Sequence, residues 1–169
     1  NLSARVELER QRAETKVRAR SQSIDNLTTL TGGVDYDSVD TRFAGLNAGF
    51  LEVTRGFNNF LGAMGAKAGS VAPSRQGGNG KFAQGEFDKI FFSYSRLQAL
   101  SPLSEKLRHH TVLFRTELQW SDDLLVPLEQ YSVGGPTNVR AYQPTEQLYD
   151  RAWFASIEWI INAPGIADK

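Results

Sequence analysis

Apolar and polar residues alternate along most of this chain with a period of two, the spacing of strands whose two faces meet different surroundings. The sharpest stretch is residues 111–121, where Val112, Phe114, Thr116, Leu118 and Trp120 share one face and Arg115, Glu117, Gln119 and Ser121 share the other. Residues 153–161 repeat it, with Trp153, Ala155, Ile157, Trp159 and Ile161 opposing Ser156 and Glu158. Three further stretches carry the same period with less contrast. In residues 27–36, Leu30, Val34 and Tyr36 oppose Thr29, Thr31 and Asp35; in residues 87–97, Ile90, Phe92 and Tyr94 oppose Ser93 and Ser95. In residues 42–50, Ala44, Leu46, Ala48 and Phe50 make the apolar face, opposite Asn47 and the glycines Gly45 and Gly49. The opening segment is divided between two signals. Leu2, Ala4, Val6 and Leu8 alternate with Ser3, Arg5, Glu7 and Glu9 as in a strand, while the Glu, Arg and Ala content as far as Arg20 suits a helix. Weighing pattern above propensity gives six strands.

The connections between these strands alternate in length. Residues 37–40 and 101–106 are short, whereas residues 10–23, 56–86 and 122–151 are long. An antiparallel membrane β-barrel has this form, with short turns on one side and long loops on the other, and its strands cross the bilayer in about 9 to 11 residues with apolar side chains outward. Trp120, Trp153 and Trp159 suit the aromatic girdles of such a barrel. A soluble antiparallel sandwich explains the same alternation by burying one face in a core. The glycine-rich run Gly77-Gly78-Asn79-Gly80, read as a long flexible surface loop, tips the balance toward the barrel. On that reading a charge is excluded at Leu118 and tolerated at Gln119, and the long loops lie outside the cell with the short turns in the periplasm.

Composition narrows the chemistry. The 169 residues carry 19 basic and 19 acidic side chains, so nothing in the overall charge suggests a nucleic-acid partner. The absence of cysteine removes disulfides, thiolate metal sites and thiol nucleophiles. No apolar run reaches the roughly 18 residues of a transmembrane helix. Gly80-Lys81 fails as a phosphate loop, because Arg75 stands where the first glycine belongs and Phe82 where the hydroxyl belongs. His109 and His110 are adjacent and point to opposite faces of a strand, so they cannot converge on one metal. Asp122-Asp123 lacks the further spaced oxygens of a calcium loop. No catalytic residue, metal site or cofactor is expected.

One loop stands apart. Residues 122–151 include the apolar run 124–128 and the sequence Gly134-Gly135-Pro136, a tight turn that would present Val139, Arg140, Ala141 and Tyr142 at a fixed tip. Folded into an enclosure, Arg140 would require a carboxylate, since a buried unpaired guanidinium is strongly unfavourable. Glu158, a charge in the middle of the next apolar strand, is the candidate.

The run from Pro127-Leu128-Glu129-Gln130-Tyr131-Ser132-Val133-Gly134-Gly135 into Val139-Arg140-Ala141-Tyr142 resembles the long loop and Val-Arg-Gly-Tyr tip of the outer-membrane transporters of two-partner secretion, the hemolysin secretion/activation proteins. Collinear matches at Leu51-Glu52-Val53-Thr54-Arg55-Gly56, at residues 87–97 and at Ala155-Ser156-Ile157-Glu158 extend the resemblance over nearly the whole chain. It implies an all-β, antiparallel, sixteen-stranded transmembrane barrel, of which residues 1–169 supply about six strands. It also implies periplasmic polypeptide-binding domains, a plug helix and a further acid on the inner wall, all elsewhere in a longer protein. The implied function is a monomeric pore in the Gram-negative outer membrane that exports a large hemolysin- or adhesin-type polypeptide, in contact with outer-membrane lipid. A barrel-assembly insertase and a soluble all-β binding module are the alternatives. Ala141 departs from the family's glycine, and if that position requires a positive φ the tip is expected to be wider here.

Overall fold

The computed structural model describes residues 1–17, 20–67, 69, 71–136 and 138–162. Residues 163–169 lie outside the described residues, as do 18, 19, 68, 70 and 137. Six strands form one antiparallel sheet: β1 (Leu2–Val17), β2 (Arg20–Asp40), β3 (Gly45–Gly56), β4 (Phe87–Ala99), β5 (His110–Trp120) and β8 (Ala152–Ile161), in the order β1-β2-β3-β4-β5-β8. Between β5 and β8 the chain makes a small hairpin of β6 (Tyr131–Val133) and β7 (Gln147–Tyr149). The sheet is an open partial barrel, with β1 and β8 at its edges.

Register turns the alternation into continuous rows. Ala4, Val34, Leu51, Phe92, Leu118 and Trp153 are successive cross-strand partners, giving one apolar row across all six strands. On the other face Ser3, Asp35, Phe50, Ser93, Glu117 and Phe154 form the neighbouring row. The apolar face is bare: Val6 is 79% exposed and Ile157 74%, and Leu2, Leu8, Leu51, Val53 and Trp159 are exposed too. A soluble sandwich would cover such a face, because contiguous exposed apolar patches on soluble monomers rarely exceed a few hundred Å². Lipid is the solvent that suits it.

At the short-turn end the polarity of the two faces inverts. Val39, Leu46, Leu97 and Leu113 make an apolar row on the otherwise polar face, ending at Glu158. On the apolar face at the same level, Asn47 accepts from Tyr94 Oη and Arg96 Nη1, both at 2.8 Å, and Arg96 Nη2 reaches Asp40 at 2.7 Å. Tyr36 and Tyr94 sit at this boundary and Trp120 at the opposite end of β5, as interfacial aromatics do.

Four expectations change. The segment 10–23 is not a loop: β1 continues to Val17 and β2 begins at Arg20, so this hairpin overhangs β3, whose last residue Gly56 pairs with Thr29. Residues 20–28 therefore project about 30 Å beyond β3 at about 3.3 Å per residue. The alternation fades there because both faces carry polar side chains, with Arg12, Glu14 and Lys16 on one and Gln11 and Thr15 on the other. Residues 37–40 likewise belong to β2, and the turn lies at 41–44, where Asp40 Oδ1 accepts from the amides of Arg42 and Phe43 and Ala44 takes φ 52°.

The apolar face of β3 is also the reverse of the expected one. Gly49, Leu51 and Val53 lie with the bare apolar face, while Phe50 lies on the polar face beneath the Arg5 guanidinium, 4.6 Å from its ring centre. Finally, residues 57–86 do not hang free. Phe57 N and Met64 N donate to Thr28 O and Asn26 O, and Ile24 N donates to Ala72 O, so the loop satisfies the overhanging edge of β2. Its Ala83 joins Leu27, Phe87, Leu125 and Val126 in the buried core at the long-loop end.

Candidate functional site

The loop between β5 and β8 leaves the sheet at Ser121, whose buried hydroxyl donates to Asp88 O at 2.7 Å. Leu125 and Val126 then plug into the core. Asp150, at the far end of the loop, closes it by accepting from Leu125 N at 3.2 Å and Gln130 Nε2 at 3.0 Å and pairing with Arg75, which also donates to Leu125 O at 2.7 Å. Start, end and the neighbouring 57–86 loop are thus held at one point.

From there the chain turns onto the polar face. Lys89 on β4 and Glu129 of the loop pair at 2.5 Å, their side chains only 12% and 6% exposed. Gln119 on β5 is buried and donates to Glu129 O at 3.0 Å, so it is not the tolerant position expected from its alternation. The loop covers it. Tyr131 donates its phenol to Glu117 Oε2 at 2.6 Å. Burial, then this carboxylate, pushes the Tyr131 phenol up, so it remains a proton donor at any physiological pH.

Beyond β6 the apex is built on backbone that favours glycine. Gly134 and Gly135 have φ of 114° and 97°. A Cβ on Gly134 would stand 2.0 Å from Gln143 O. Asn138 organises the turn, its Oδ1 accepting from Gly134 N at 2.9 Å and Val139 N at 2.6 Å while its Nδ2 donates to Ser132 O at 2.8 Å. Gly135 N donates to Tyr142 O at 3.0 Å, closing the apex around Pro136, Val139, Arg140, Ala141 and Tyr142. Ala141 has no positive φ, so alanine fits there without strain and the conditional expectation of a wider tip does not apply. Gly134→Ala should loosen this apex by about 1–3 kcal/mol. Hydrogen exchange over residues 131–149 checks this, with Gly78→Ala, whose added Cβ meets nothing within 4 Å, as the silent control.

At the tip Arg140 Nη2 donates to Glu158 Oε1 at 2.9 Å. Glu158 lies opposite Leu113, four residues along β5 from Glu117, so the loop runs about 13 Å from its Tyr131 anchor toward the short-turn end. The Arg140 side chain is 65% exposed in this open sheet, which makes the pair a contact worth about 0.2–1 kcal/mol here. Tyr142 is exposed.

Sequence reasoning singled out the tip, the turn glycines and Glu158, but not Lys89, Glu129, Tyr131, Asn138 or Asp150. The polar parity of Glu117 and Gln119 was the available signal that something polar must rest on that face. The two histidines go separate ways: His109 Nε2 accepts from Arg108 Nε at 2.8 Å, and His110 Nδ1 from Trp159 Nε1 at 3.1 Å. Asp122 pairs with Arg151, and Asp123 accepts from Asp88 N at 2.9 Å. Among the described residues no three His, Cys, Asp or Glu side chains gather as metal ligands.

A family model described as haemolysin secretion/activation protein ShlB/FhaC/HecB matches residues 2–161. No curated protein and no solved structure matches the chain.

Proposed function

The chain belongs to the haemolysin secretion/activation protein family, the Gram-negative outer-membrane transporters of two-partner secretion, and we propose that its six strands form part of the wall of a pore exporting a large hemolysin- or adhesin-type polypeptide. The observation that carries this is the loop at 122–151, anchored through Lys89, Glu117 and Gln119 on the polar face of a sheet whose other face is bare and apolar. A closed barrel built from this sheet has lipid against the apolar face and water within. The long-loop end points to the cell surface and the turns at 41–44 and 100–109 to the periplasm, following the usual asymmetry of outer-membrane barrels. The pore works as a monomer, and the exported chain passes along the polar wall of Asp35, Ser93, Ser95 and Arg115.

Within that pore the apex of the loop is a latch. Gly134, Gly135 and Pro136 shape it, and Val139, Arg140, Ala141 and Tyr142 are its tip. Glu158 is the catch, because a guanidinium pairs with a carboxylate directionally in a way that an ammonium cannot. The test is a double-mutant cycle in the full-length protein, read as the amount of cognate partner secreted. Arg140→Ala and Glu158→Ala should each alter secretion, the double variant should resemble either single one, and Arg140→Lys should rescue incompletely. Strictly additive effects would remove Glu158 as the partner.

A further inference from the structure

Above the apolar band, on the lipid-facing side, β1, β2 and residues 57–60 enclose an open hollow of about 560 Å3. Its floor is the cross-strand pair Leu8 and Leu30, and its wall is the edge-on pair Phe57 and Phe60, with ring centres 5.6 Å apart. Glu86 lines it too, but that carboxylate is already held by Arg55 at 2.9 Å and Asn58 Nδ2 at 3.1 Å. Arg55 also pairs with Asp88.

The next residues on the same face of β1 are cations. Arg10 follows Leu8 at the two-residue strand repeat, and its guanidinium rests against Gly62, where a Cβ would stand 2.8 Å from Nη2. It makes no hydrogen bond or ion pair among the described residues. Arg12 follows and shares Glu14 with Lys16, at 3.4 and 3.6 Å, so among the described residues Arg10, Arg12 and Lys16 outnumber Glu14 along this edge. An apolar hollow with interfacial aromatics and a free guanidinium one repeat above it has the chemistry of an acylated anion: the chain lies among Leu8, Leu30 and Phe60, and the anionic group lies at Arg10.

We infer that this hollow binds one acyl chain of a phosphorylated glycolipid of the outer leaflet, with Arg10 and Arg12 holding its phosphate. The inference rests on the proposed orientation, which puts the hollow at the outer water interface. The alternating strand pattern accounts for Leu8 and Leu30, but it does not account for an unpaired arginine at the end of that row.

The test uses the full-length protein, purified in mild detergent and loaded with lipid A, with its dephosphorylated form or with phosphatidylglycerol, and native mass spectrometry to count retained lipid. Lipid A should be retained over both other lipids, and Arg10→Gln with Arg12→Gln should lower its retention by about tenfold. Phe60→Ser should lower retention of lipid A and of its dephosphorylated form alike, and Arg108→Gln, at the short-turn end, should leave it unchanged. Equal retention of the three lipids by the unaltered protein, or full retention by the double arginine variant, overturns the assignment. A thiol at Lys67→Cys labelled on intact cells separates the two readings. If it is labelled and lipid A is not retained, the lipid site alone fails; if it is not labelled, the orientation fails as well.

Discussion

Truncating Glu129 to alanine should release the 122–151 loop from the wall at a cost of about 3–5 kcal/mol, the effect of leaving one partner of a buried ion pair uncompensated. Lys89 and Glu129 are both nearly inaccessible and 2.5 Å apart, so solvent screens little of their attraction. The lysine left behind makes no other hydrogen bond or ion pair among the described residues. Hydrogen exchange in the full-length protein should show protection lost across residues 124–133, and the midpoint of thermal unfolding should fall. Replacing both partners, as Lys89→Met with Glu129→Leu, should recover much of the loss, because a well-packed apolar pair often matches a buried ionic one. Glu105→Ala, an exposed acid in the short 3-10 turn at Glu105–Leu107, should change neither quantity. If Glu129→Ala behaves like Glu105→Ala, the loop is not anchored there.

The second large effect concerns the membrane face. Leu118 lies in the six-strand apolar row, between Phe92 and Trp153. Leu118→Arg should cost about 2–4 kcal/mol of assembled barrel, the penalty for arginine on the lipid side near the bilayer centre. The informative comparison is Ser93→Arg, one residue along β4 from Phe92 and therefore on the opposite face. Ser93 lines the groove with Asp35 and Glu117, whose carboxylates would welcome a guanidinium. Heat-modifiable migration of the folded barrel extracted from outer membranes measures both variants. Equal yields from the two would mean that the faces do not differ.

The pattern of residues revealed β4, β5 and β8 because one face of each meets an apolar medium while the other stays polar, and that contrast survives in the raw alternation of Val112 to Trp120 and Trp153 to Ile161. It lost the ends of β1 and β2 for the converse reason: Arg10 to Lys16 and Gln22 to Asn26 lie beyond the membrane band, where polar side chains stand on both faces. It reversed β3 because the window 42–50 stops before Leu51 and Val53, and because Phe50 is an aromatic on the polar side, covered by an arginine from two strands away. Arg140 and Glu158 could be joined from sequence since each is a conspicuous charge in its setting. Lys89 and Glu129 could not, being 40 residues apart and brought together only by the β4–β5 register and the fold-back of the loop.

Alternate residues of one strand meet lipid and water, and the membrane wall depends on that alternation. Thiol accessibility along β4 tests it most directly, and the chain has no cysteine of its own to interfere. Single cysteines at positions 91 to 95 of the full-length protein in outer membranes, clear of the level at which the faces invert, would be challenged with a water-soluble maleimide and with a lipid-dissolved one. Phe91, Ser93 and Ser95 positions should react with the soluble reagent, while Phe92 and Tyr94 positions should react only with the lipid-dissolved one. Reaction with the soluble reagent at all five positions alike, or the opposite alternation, would contradict the assignment of this sheet to a membrane wall.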